Sequence, residues 1–144
     1  MRKFTKGQSL FEVVVAIGMM AAILVGIVSL AAMALRNSSY SKNKTLANRY
    51  AQEATEWLRR ERDTDFTLLQ GHVQVFPWCL TNLDWSKPSA CSPDSDFIPS
   101  TILLRDVSLT GTDPITATVR VYWNDGQGYH EVKSVTYFTD WRQR

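Results

Sequence analysis

From Val13 to Leu35 the chain carries no charged residue. Those twenty-three residues, wound as an α-helix at about 1.5 Å each, reach roughly 35 Å, and the hydrocarbon core of a bilayer is about 30 Å thick. A run of this length needs lipid or other apolar helices around it. At 144 residues it leaves material for one modest head and no second domain. A secretory signal peptide shares the plan of basic residues before an apolar stretch. Its apolar part is shorter, about 7–15 residues, and ends in a small-x-small cut. Here the run is longer and passes into a helical pattern. Arg2, Lys3 and Lys6 precede it, which sets the amino end in the cytoplasm and the remainder outside. Removing residues 1–7 takes the formal charge from +2 to −1. A near-neutral mature chain gives no electrostatic case for a nucleic-acid partner.

No proline occurs before Pro77, and no glycine between Gly26 and Gly71, so the helix is expected to continue beyond the apolar run. Tyr40, Ala47, Tyr50, Ala51, Ala54, Trp57 and Leu58 recur at steps of three and four. Lys42, Lys44, Arg49, Gln52, Glu53, Glu56 and Arg60 fall largely on the other side. The pattern predicts one helix from about residue 9 to about residue 63, its first half for lipid and its second for a protein core.

Lys6-Gly7-Gln8-Ser9-Leu10-Phe11-Glu12, followed at once by the apolar run, resembles the amino-terminal signature of type IV pilins and of the pseudopilins of type II secretion. The match covers residues 1 to 60 or so. It combines a short basic leader, a glycine before the cut, a glutamate fifth after it, a spanning stretch and an amphipathic continuation. The resemblance implies cleavage by prepilin peptidase between Gly7 and Gln8, and N-methylation of Gln8. Family members often carry phenylalanine or methionine where Gln8 stands. Many major pilins have a helix-kinking proline near the place of Ser29.

The lone acid Glu12 then has a use. A carboxylate in a membrane helix costs up to a few kcal/mol, so it persists only with a function or a partner. Cleavage turns the nitrogen of Gln8 from an amide into an ammonium with a reference pKa of about 8. The resemblance implies that Glu12 of an incoming subunit pairs with the freed amino terminus of its neighbour, which makes it an assembly residue. Gly18, Ala22 and Gly26 lie four apart, a small-xxx-small spacing that lets helix backbones approach closely; it is equally an ordinary feature of membrane helices.

Beyond the helix the period changes to two. His72 to Phe76 alternates, Thr101 to Leu109 is rich in Ile, Leu and Val, and Ile115 to Trp123 alternates with Thr, Arg and Tyr. Asn124-Asp125-Gly126-Gln127-Gly128 reads as a turn, and Tyr129 to Thr139 as the returning strand of a hairpin. Three or four strands need a covering layer, and the Tyr50/Ala54/Trp57/Leu58 face of the helix supplies it. The expected fold class is therefore α+β and pilin-like. It comprises a leader at 1–7, a transmembrane or filament-core helix at 8–35, its amphipathic continuation at 36–65 and an extracytoplasmic β-rich head at 66–144.

In an outward head, Cys79 and Cys91 can form a disulfide, and closing a loop of this size is worth about 3 kcal/mol in the chain-entropy model. We read them as bonded. Two cysteines with His72 and His130 match no usual zinc spacing. Some major pseudopilins hold a calcium ion in a loop; here Asp94-x-Asp96, with Asp84 nearby, reads as a solvated turn between Pro93 and Pro99, so no metal is expected. His130 beside Glu131 reads as a surface or packing residue, and Lys133, Arg142 and Arg144 as solvated cations. No phosphate loop or nucleophile motif is present, and no enzyme activity or cofactor is expected.

The sequence reading is thus a filament subunit, a minor pilin or minor pseudopilin. Its expected partners are other subunits, prepilin peptidase, an inner-membrane assembly platform and membrane lipid. Its expected place is the cytoplasmic membrane, crossed once, and then a pilus or a periplasmic or extracellular filament. The alternative is a membrane-anchored binding module that does not polymerise.

Overall fold

The structure, a computed structural model, describes residues 10 to 143. The leader at 1–7, the cleavage pair Gly7 and Gln8, and Arg144 lie outside the described residues. The chain divides between Ser41 and Lys42 into two units.

Helix α1 runs from Leu10 to Thr64. In the first unit every side chain from Leu10 to Ser39 is exposed, including Leu24 at 63% and Leu30 at 69%. This segment is long and apolar enough to cross a membrane. Its many Val and Ile residues are only moderate helix formers in water. In lipid, however, each backbone N–H and C=O must be satisfied within the chain, which makes helix the available choice.

The second unit is the head. Its part of α1 buries Ala47, Ala51, Ala54, Thr55 and Leu58, a stripe at steps of one, three and four that faces the sheet. The small alanines bring the helix close. Thr55 Oγ1 donates to Ala51 O at 2.9 Å and meets Ser134 Oγ at 3.3 Å, which fixes helix against sheet. The sheet is antiparallel in the order β1 (Trp78–Cys79), β2 (Leu104–Thr110), β3 (Ile115–Asp125), β4 (Gly128–Phe138). In β3 the alternation is complete: Ile115, Ala117, Val119, Val121 and Trp123 are buried, and the residues between them are half-buried. β3 and β4 form the expected hairpin, closed at Asp125 and Gly128, where the Asp125 carboxylate accepts from Gln127 N at 2.8 Å. In β4 the even-numbered residues turn inward and Phe138 ends buried. Gly111 begins the β2–β3 connection with φ of 83°, and a Cβ there would stand 2.7 Å from Pro114 O, so only glycine fits.

The helix ends at Thr64, where the sequence pattern places its end, and a short second helix, α2 (Phe66–Gly71), follows it. Asp65 causes the break. Its backbone is extended (φ −156°, ψ 110°), and its carboxylate accepts from Thr67 N at 2.8 Å and Leu68 N at 3.3 Å, the work of an N-cap. One expectation is corrected: the segment His72–Phe76 is not a strand. The His72 and Val73 amides close α2 by donating to Leu69 O and Gln70 O, and the chain then bends at Val75 and Phe76, just before Pro77. Val75 and Phe76 are left 95% and 69% exposed.

Candidate functional site

The functional residues expected from sequence fall in the apolar helix. Glu12 lies near the amino end of the described part of α1. It is exposed, and among the described residues no cation pairs with it. Gly18, Ala22 and Gly26 are likewise exposed. Nothing lies within 4 Å of the place a Cβ would take at either glycine. Residues four apart drift only about 40° around a helix, so the three share one open side.

In the head, a buried cation ties three elements together. Arg105 on β2 sits inside the run Leu103 to Val107 and turns toward α1, its side chain 2% exposed. Its Nε donates to Leu80 O at 2.9 Å, and its Nη1 to Tyr50 O at 3.2 Å and to Glu53 Oε2 at 3.0 Å. Burial pulls the guanidinium below its ordinary range, and Glu53 opposes that. On the other face of the same strand, buried Asp106 takes a two-pronged bond from Arg120, its cross-strand partner, at 3.1 and 2.7 Å. That bond raises Arg120. Burial first, and then the Asp106 charge, pushes the Tyr122 hydroxyl up to about 12. A charged pair of neighbours within an apolar strand was a visible signal, since neither stays buried unpaired. Sequence reasoning passed over it.

Cys79 and Cys91 are bonded, with an S–S distance of 2.01 Å, and pack with Leu104 and Tyr122. Next to them lies an aromatic cluster that the sequence did not announce: Trp85 stacks on His72 at 4.1 Å and meets Trp57 at 4.7 Å and Trp78 at 5.3 Å. Trp85 Nε1 donates to Glu61 Oε2 at 3.0 Å, which joins the loop to α1. The three aspartates do not converge. Asp84 accepts from Ser86, Asp96 pairs with Lys87 and accepts from Ser92 N, and Asp94 is exposed. Among the described residues no three His, Cys, Asp or Glu side chains come together to hold a metal ion. His130 Nε2 lies 3.1 Å from Asp125 Oδ1 and its ring 5.2 Å from Trp123, so it serves packing at the hairpin end. Lys133 pairs with Glu131 at 2.8 Å, and Arg142 donates to Asp63 O.

A long amino-terminal helix packed on a small antiparallel sheet is the pilin-like α+β architecture. Compared with known proteins, the chain matches no family model, no curated protein and no solved structure.

Proposed function

We propose that this chain is a structural subunit, of the minor pilin or minor pseudopilin kind, in a type IV pilus-like filament. Prepilin peptidase cuts it between Gly7 and Gln8 on the cytoplasmic side, and the subunit enters the filament by parallel packing of α1 with a Glu12 to amino-terminus pair. One observation carries the reading: α1 is a single helix whose first half is apolar and exposed on all sides, while its second half is buried on one side only. A plain anchor needs the first half. The cleavage signature and the fifth-position glutamate have no use in an anchor that stays single.

Glu12→Ala tests this. Alanine enters a bilayer more easily than glutamate, so loss of the protein from filaments cannot come from failed insertion. The expected result is normal membrane content, a mature chain beginning at Gln8, and little of the variant in sheared filaments, with Glu12→Asp in between. Removing one member of a desolvated pair costs several kcal/mol. Wild-type incorporation of Glu12→Ala, or residues 1–7 retained in surface material, overturns the reading in favour of the anchored binding module.

A further inference from the structure

Beside the tie from Arg105 to α1 lies a cavity of about 320 Å³, bounded by Tyr50 and Glu53 on α1, Arg105 on β2 and the turns at Asn82-Leu83 and Pro99. That volume falls at the lower end of ligand sites, about 300–1,000 Å³, and suits one small ring. Four polar groups on its walls are uncommitted. Arg105 uses Nε and Nη1 on Leu80 O, Tyr50 O and Glu53 Oε2, while its Nη2 makes no hydrogen bond among the described residues. Among those residues, Gln74 Nε2 is the sealed side-chain atom without a partner. Nη2, unbonded too, is therefore reached by solvent, although the Arg105 side chain is only 2% exposed. Glu53 holds Arg105 through Oε2, and its Oε1 has no partner among the described residues; nor have the Asn82 amide and the Tyr50 hydroxyl. Leu83, next to Asn82, is held at φ of 40°. A bulky side chain takes that left-handed backbone only where its surroundings require it, and strain of this kind gathers at binding sites.

A ligand here has to offer both senses of hydrogen bond. An apolar one would leave the Arg105 donor and the Glu53 acceptor unmet. A phosphate or a carboxylate would meet Glu53, and the guanidinium charge is already balanced by that carboxylate at 3.0 Å. A hydroxyl both donates and accepts. We propose that this cavity binds a neutral saccharide, one pyranose ring with two adjacent hydroxyls set across Arg105 and Glu53. One hydroxyl accepts from Nη2, and the next donates to Oε1. The Asn82 amide, which can donate and accept, takes a third, and the Tyr50 ring gives the C–H face of the sugar an apolar wall. The site lies wholly in the head unit, so it does not depend on entry into a filament.

The test is saturation-transfer NMR on the full chain, in a detergent without a sugar headgroup, with the methyl glycosides of mannose, galactose and glucose as probes and with acetate and inorganic phosphate as competitors. Transfer to the ring protons of at least one glycoside is expected, undiminished by either anion. Titration of that glycoside should show binding about tenfold weaker in Glu53→Gln and in Asn82→Ala, each of which removes one charged or polar hydrogen bond to it. Asn82 is exposed and unbonded, and Glu53→Gln keeps the shape of the side chain, so both variants stay folded, which thermal unfolding checks. No transfer to any of the three glycosides overturns the proposal. So does equal binding by the wild type and both variants, which would place the sugar elsewhere, and so does displacement by acetate or phosphate, which would mark an anion site.

Discussion

Replacing Arg105 separates a backbone clamp from an ion pair. Glu53, its charged partner, is half exposed, and a carboxylate freed there rehydrates. A pair screened in this way is worth at most about 1 kcal/mol, so Glu53→Gln should lower head stability by less than that. The bonds to Leu80 O and Tyr50 O differ. Arg105→Met keeps the stem and removes the donors. Tyr50 O lies in the interior of α1 and retains a helical partner, whereas Leu80 O loses its donor inside the head. An unmade buried bond costs about 1–3 kcal/mol, partly offset because a cation no longer has to be desolvated, which leaves a net cost of about 2 kcal/mol. Arg105→Ala adds a cavity and should cost about 4 kcal/mol. For a head of this size each kcal/mol moves Tm by about 4–8 °C. Thermal unfolding of the full chain in detergent, followed by tryptophan fluorescence, reads this directly, because all five tryptophans lie in the head. The expected order of Tm is wild type, Glu53→Gln, Arg105→Met, Arg105→Ala. A Glu53→Gln variant as unstable as Arg105→Met would show that the ion pair, and not the tie to the backbone, holds the strand to the helix.

Tyr122 gives an alkaline test. Its hydroxyl titrates at about 12 in the folded head against about 10 when unfolded, so between those values the unfolded chain has lost a proton that the folded one keeps. Stability from this group is intact below pH 10 and falls as pH rises toward 12; in absorbance titration Tyr122→Phe should remove the latest phenolate step and flatten that fall, and an unchanged late step would refute it. Gly111→Ala should cost about 1–3 kcal/mol, since it demands a left-handed backbone at φ of 83° and sets a Cβ against Pro114 O. A Tm equal to wild type in the same fluorescence assay would show that the connection relaxes.

Much of the fold was legible where a periodic pattern is long. The Ala47/Ala51/Ala54/Leu58 stripe and the Ile115 to Trp123 alternation each bury one side, and burial is what the period records. The pairing of Cys79 with Cys91 was legible because only two cysteines exist. Short segments were not. His72–Phe76 alternates over five residues, and its fate turned on which amides α2 consumed and on the bend just before Pro77. The short helix α2 was not foreseen, because it is started by one capping aspartate, Asp65, a local competition that composition does not resolve.

By itself the order of residues determined that this chain has an apolar helix of spanning length and a helical continuation with one buried side, because those follow from how far a helix rises and where its turns repeat. It also determined that the last two strands form a hairpin, since a glycine-containing turn between two alternating runs leaves little else to form. The tie from Arg105 to Tyr50, Glu53 and Leu80, the stacking of Trp85 on His72 and the open edge of β4 were set by tertiary structure alone. Each depends on residues brought together from distant points of the chain, and the energy of a buried charge, a ring contact or an unpaired strand edge exists only once the surrounding elements have excluded water from one side and left it on the other.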